Sequence, residues 1–223
     1  ATQGRVAAST QNQALCALVF LYRHVLDQEL GEFGDIIRAK RPARLPEVLT
    51  REEVKRMMDV MDGVYRIMAT LMYGTGLRLM ETVRLRVKDV DFGYNRITVR
   101  DGKGGKDRIT MLPQSLIPSL ESHLEKTKGL FQKDREEGLE GVYLPTALAR
   151  KYPRAGVTWA WQYVFPSSSI STDPRSGVRR RHHIYNRSVQ RAVSTAAHKA
   201  DINKKVGCHT LRHSFATHLI EQG

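Results

Sequence analysis

Cys208-His209-Thr210-Leu211-Arg212-His213-Ser214-Phe215-Ala216-Thr217-His218-Leu219-Ile220 decides how this chain is read. Leu211, Phe215 and Leu219 recur every fourth residue, which predicts a helix over 209–222 with its apolar side packed away. His209 and Arg212 then stand one turn apart near the helix start. An imidazole moves protons, and a guanidinium grips two oxygens of one phosphate. Alone, such a pair is equally a helix-start histidine and a solvated arginine. Gly74-Thr75-Gly76-Leu77-Arg78 adds to it: the glycines end a helix over 64–73 and put a second arginine at the start of the next. Glu81, one turn on, either orients that guanidinium or forms a surface pair.

The charge balance points to the partner. The chain has 223 residues, 41% hydrophobic, with 36 Lys and Arg against 23 Asp and Glu, a net charge of +13. That excess predicts a polyanion. A membrane is the rival, but no apolar run reaches spanning length. Cys16 and Cys208 read as buried thiols in a reducing, cytoplasmic compartment. His182, His183, Cys208 and His209 lack zinc spacing, so neither a metal nor another cofactor is expected.

Outward from the two arginine motifs, an amphipathic helix over 11–28 starts near Ser9-Thr10. A basic, proline-punctuated linker follows, carrying Arg38, Lys40, Arg41 and Arg44. Thr50 and Glu53 have capping-box spacing and open the next domain with a helix to about 61. Short strands are predicted over 87–92, 96–100 and 107–112. The Gly102-Lys103-Gly104-Gly105-Lys106 turn puts ammonium groups at a sheet edge. Long helices are expected over 115–133 and 186–200, with a shorter one near 143–151. Residues 152–183 read as a long irregular excursion. Trp159, Trp161 and Tyr163 are followed there by Arg175, Arg179, Arg180 and Arg181, a pattern suited to base stacking and phosphate contact. One of the two tryptophans is expected to pack the loop to the body.

GTGLRLMETVRL, GKGGKDR and HTLRHSFATHL resemble the tyrosine recombinases, also called the phage integrase family. ALARKYPRAGVTWAWQYVFPS and STDPRSGVRRRHHIY resemble the extra insertion of the integron integrases within it. The resemblance implies an α+β, mainly α, catalytic domain with a small three-stranded antiparallel sheet and a family-specific insertion at about 143–183. It makes residues 1–28 the last helix of an N-terminal core-binding domain, 29–48 the linker and 49–223 the catalytic domain. By the same resemblance Arg78 and Arg212 hold the phosphate, Lys103 is the general acid, with Lys106 the weaker candidate, and His209 is the first histidine. Glu81 would orient Arg78. Trp161, Pro174, His182 and His183 would read bases flipped out of a folded, single-stranded recombination site. Arg41, Arg44 and Arg179 to Arg181 would contact DNA.

The family has a second histidine and a nucleophilic tyrosine further on, whereas the last tyrosine here is Tyr185. The resemblance therefore implies a fragment truncated at both ends, which binds DNA without linking to it. The full-length parent would be a cytoplasmic, nucleoid-associated bacterial enzyme acting as a homo-tetramer on DNA. A non-catalytic DNA-binding module and a type IB topoisomerase-like enzyme are the alternatives.

Overall fold

A computed structural model of the protein describes residues 6–29, 45–100 and 106–222. Lys103, Arg41 and Arg44 lie outside the described residues, as do Arg38 and Lys40. The chain divides into two units, Ala1–Leu45 and Pro46–Gly223.

In the first unit, α1 (Ala8–Phe20) runs into a π-helical turn at Leu21–Val25. This corrects the expected 11–28 helix at both ends. Ser9 and Thr10 lie inside α1, and its cap, Ala7, has no side chain able to accept a hydrogen bond. Cys16 is exposed, not buried as expected.

The second unit begins with Thr50, whose hydroxyl accepts from the Glu53 amide at 3.2 Å while Glu53 Oε2 accepts from the Thr50 amide at 2.7 Å. This capping box starts α2 (Arg51–Asp59). Next, α3 (Gly63–Thr75) carries Met68, Ala69, Leu71 and Met72 into the core. It runs two residues past the predicted end because Gly74 is accommodated inside it. A Cβ there would meet Pro113 Cγ at 2.6 Å. The break falls at Gly76, which caps α3 with φ +65°. Arg78 is then the N-cap of the short α4 (Leu79–Val83).

An antiparallel sheet follows in the order β1 (Val90–Asp91), β2 (Arg96–Val99), β3 (Arg108–Met111). The first half of the expected strand at 87–92 is a 3₁₀ turn, Val87–Asp89. Its amides are taken elsewhere, Val87 N by the Gln162 carbonyl and Asp89 N by that of Arg86, each at 3.0 Å. Ile97 and Val99 of β2 face the core, and Thr110 Oγ1 of β3 donates to the Thr75 carbonyl at 3.1 Å. The sheet is thereby docked on the end of α3.

The long α5 (Ile117–Glu136) buries Leu120 and Leu124. After it comes α6 (Thr146–Lys151), where a short helix was expected, and the stretch expected to be irregular holds two 3₁₀ turns and a hairpin of β4 (Ser171–Thr172) with β5 (Arg179–Arg180). It is ordered because it is tied to the body. Half-buried Arg86 donates to the Trp161 carbonyl at 2.8 Å and the Tyr143 carbonyl at 2.9 Å, and its guanidinium lies 3.7 Å from the Tyr163 ring centroid. Two helices complete the unit, α7 (Asn186–Lys199) and α8 (Cys208–Ile220).

The buried stripe of α8 differs from the one expected. Leu211 is buried, but Phe215 only partly, and Leu219 is exposed. Ser214 and His218 are buried in their place. Ser214 accepts from the Leu49 amide at 2.9 Å and donates to the Thr210 carbonyl at 2.8 Å. His218 Nδ1 pairs with the Tyr73 hydroxyl at 2.8 Å. Polar side chains occupy these positions because each finds a partner across the interface. The result is mostly helical with small antiparallel sheets, as expected for the fold class.

Candidate active site and nucleic-acid interface

Glu81 is the hub of the site. It sits at the third position of α4 with its side chain only 8% exposed. Its Oε2 accepts from the Arg78 amide at 2.8 Å and its Oε1 from Arg78 Nη1 at 2.8 Å. It is thus a covered partner of Arg78 and not a surface pair. Both oxygens also accept from Arg108, Oε1 from Nη1 at 2.9 Å and Oε2 from Nη2 at 2.7 Å. Burial works against ionisation, but the Arg108 hydrogen bonds, the Arg78 amide and the Arg78 side chain outweigh it. The carboxyl is held at about 2, below its ordinary 4.5.

Arg212 reaches the same place from α8. Its Nη1 donates to the Gly76 carbonyl, at the break between α3 and α4. Burial lowers its proton affinity, and the like charges of Arg78 and Arg108 lower it further, against the pull of Glu81. Arg78 and Arg108 thus share one carboxylate, and Arg212 stands close enough to feel all three charges, so three guanidinium groups face a single counter-charge. Such a cluster can hold both non-bridging oxygens of a phosphodiester and stabilise the charge that builds on them. His209, the second residue of α8, is exposed, with its ring centroid 6.4 Å from that of His213.

Arg108 was not singled out from the sequence. The signal was a charged residue at an inward position of a strand, in register with buried Val99. Lys106, two residues before it, is exposed. A cleft of about 1210 Å³ is lined by Tyr73, Phe215 and His218 but by none of these arginines. The charge cluster is more telling than the cleft, because a polymer backbone is bound on an open basic surface.

The insertion residues divide into anchors and exposed groups. Arg181 is an anchor, its Nε and Nη2 each donating to Asp134 at 2.6 Å and its Nη1 to the carbonyls of Ser167 and Ser168. Its donors are spent inside the protein, which leaves them unavailable to DNA. Arg180 is mostly covered, its Nε 3.9 Å from Asp173 Oδ2, whereas Arg179 and Pro174 are exposed on the β4–β5 hairpin. Trp159 packs on Phe131 of α5 with ring centroids 5.7 Å apart and joins the core. Trp161 instead carries Lys88 Nζ 3.0 Å from its ring centroid and has Tyr152 beside it at 6.1 Å. His182 and His183 are half-buried. The His183 ring stands edge-on to Tyr163 at 5.3 Å, and burial keeps it less basic than a free imidazole.

Among the described residues, no helix is long and apolar enough to cross a membrane. Residues 47–223 match the phage integrase family, and residues 1–32 match the phage integrase N-terminal SAM-like domain. Over its whole length the chain is 50% identical to an integrase/recombinase of Escherichia coli and covers 66% of that protein. It is 32% identical over 198 residues to tyrosine recombinase XerA of Pyrococcus furiosus, a match covering 87% of this chain and 55% of the relative. The crystal structure of XerA recombinase matches at 26% identity with a TM-score of 0.55, covering 100% of this chain and 66% of that one. The fold is also that of the XerH site-specific recombinase bound to its difH substrate, with a TM-score of 0.58 at 21% identity and coverage of 98% and 56%. The chain spans less than two thirds of the length of these relatives. With its arginine cluster and its match from residue 47 onward, this chain belongs to the phage integrase family, the tyrosine recombinases.

Proposed function

We propose that this chain supplies the DNA-binding and phosphate-activating part of a site-specific recombinase. The observation that carries the reading is the convergence of Arg78, Arg108 and Arg212 on Glu81 and Gly76. In the proposed reaction a tyrosine hydroxyl attacks a DNA phosphorus, the 5′ oxygen departs with a proton from Lys103, and a 3′-phosphotyrosyl link remains until rejoining. Arg78 and Arg212 neutralise the non-bridging oxygens, and His209 handles the nucleophile's proton or holds an oxygen. The attacking tyrosine belongs after Arg212, and this sequence has none beyond Tyr185. Residues 1–223 therefore bind DNA without covalent capture.

The substrate we assign is of the integron type, a folded single-stranded recombination site with extrahelical bases, from which gene cassettes are integrated or excised. Trp161, Pro174, His182 and His183 read the bases, with Arg179 and Lys106 on phosphates. Support comes from the anchoring of the insertion through Arg86 and Arg181, which leaves Trp161 outside the core. The working assembly is a homo-tetramer on DNA, in the bacterial cytoplasm.

The test has two arms. Residues 1–223 should bind DNA with log affinity falling steeply against log salt, and each phosphate contact removed should lower the slope by about one. Joined to a C-terminal segment bearing the family's tyrosine, the protein should be trapped by a nicked suicide substrate, and Arg212→Ala should abolish trapping. Salt-independent binding, or trapping by residues 1–223 alone, would overturn the reading.

A further inference from the structure

We propose that Arg108 is a positioning residue of the phosphate site, fixing Arg78 through Glu81. The inference rests on the functional reading above. Both terminal nitrogens of Arg108 are spent on the Glu81 carboxylate, at 2.9 and 2.7 Å. A two-pronged arginine fork fixes the plane of the carboxylate it grips, which a single hydrogen bond does not. Arg78 has one side-chain bond to that carboxylate, from Nη1 to Oε1, and its backbone amide bonds the other oxygen. Arg78 is thus held where Glu81 is held, and Glu81 is held from β3. The side chains of Arg78 and Arg108 are similarly accessible, at 32% and 35%. Their occupancy differs, since Arg108 directs its fork inward.

Charge adds a second reason for the arrangement. Arg212 feels Arg78 and Arg108 as like charges and Glu81 as the opposing one. A carboxylate free to turn away would leave Arg78 and Arg212 repelling each other across the site they share. The Arg108 fork keeps the counter-charge within reach of both.

A purely structural role for Arg108 would be to hold β3 on the body. Another tie of that kind is the hydrogen bond from Thr110 Oγ1 to the Thr75 carbonyl. Thr110→Ala therefore serves as the control, since it loosens β3 without touching Glu81.

The experiment measures the affinity of residues 1–223 for a short DNA duplex by fluorescence anisotropy at fixed salt, with circular dichroism to check folding. Arg108→Gln should weaken binding about tenfold, the effect of losing a charge-assisted phosphate contact. Arg108→Lys, which keeps the charge and loses the fork, should fall between wild type and Arg108→Gln. Glu81→Gln should also weaken binding although it makes the protein more basic. The double variant should bind no worse than the weaker single one, because both changes break one linkage. Thr110→Ala should bind as wild type.

If Arg108→Gln lost its full factor again in the Glu81→Gln background, Arg108 would be acting on DNA directly and the inference would fail. Wild-type affinity in Arg108→Gln would also sink it, as would full rescue by Arg108→Lys. A wild-type protein without salt-dependent DNA affinity would instead overturn the functional reading.

Discussion

Asp134, near the end of α5, and Arg181, at the end of the insertion, form a two-pronged ion pair with both bonds at 2.6 Å and both side chains 12% exposed. Because the same guanidinium donates to the Ser167 and Ser168 carbonyls, one residue closes the insertion on itself and on the body. Asp134→Ala leaves Arg181 covered without its counter-charge and should lower stability by about 3 kcal/mol. Urea denaturation would measure the loss. Limited proteolysis should place new cleavage between residues 166 and 182, and an unchanged cleavage pattern would show that the pair is not the anchor.

Gly76 and Gly129 should respond to alanine with opposite signs. At Gly76 the backbone has φ +65° and a Cβ would stand 2.8 Å from the Phe215 ring. Gly76→Ala should therefore destabilise by about 2 kcal/mol, from left-handed strain and overpacking. Gly129 lies inside α5 with nothing within 4 Å of a built Cβ. Gly129→Ala should stabilise by about 0.5–1 kcal/mol. Thermal unfolding of the two variants side by side checks both signs.

The two tryptophans should separate stability from recognition. Trp159→Ala removes the ring packed on Phe131 and should lower stability by about 2 kcal/mol, less than a fully buried tryptophan would. Trp161→Ala should leave the denaturation midpoint nearly unchanged and weaken binding to a bulged hairpin by about 1–3 kcal/mol, the range for a lost base stack. Binding to a fully paired duplex should barely move. Equal losses on hairpin and duplex would count against base reading by Trp161.

The pH dependence at Glu81 has a definite sign. Its folded value is about 2 against an ordinary 4.5, so the folded state binds its proton less tightly than the unfolded chain. The stabilisation it brings is complete above about 4.5 and is lost as pH falls toward 2. Arg108→Gln removes the strongest influence opposing burial, so the folded carboxyl should titrate closer to its ordinary 4.5 and the loss of stability below that pH should shrink. Denaturation midpoints between pH 2 and 6 would show this. Coincident profiles for wild type and variant would refute it.

The local features of this protein were legible in its sequence because they depend on residues a few positions apart. The Thr50–Glu53 capping box, the helix break between Tyr73 and Arg78 and the one-turn spacing of His209 and Arg212 all follow from helical period and backbone freedom. What only the tertiary structure decided lies between residues far apart in the chain. Ser214 bonds the Leu49 amide across 165 positions, and Arg212 finds the Gly76 carbonyl across 136. Periodicity predicted apolar residues along the inner stripe of α8. A packed interface also accepts a serine or histidine there if a partner stands opposite, and no local pattern encodes that partner. The same reason explains Arg181 and Arg108. In sequence each is one more cation of a basic chain, whereas in the fold each has an acid waiting, Asp134 for one and Glu81 for the other. The sequence determined which side chains could serve a phosphate. Only the pairing of distant elements determined which of them turn inward and which are left to meet it.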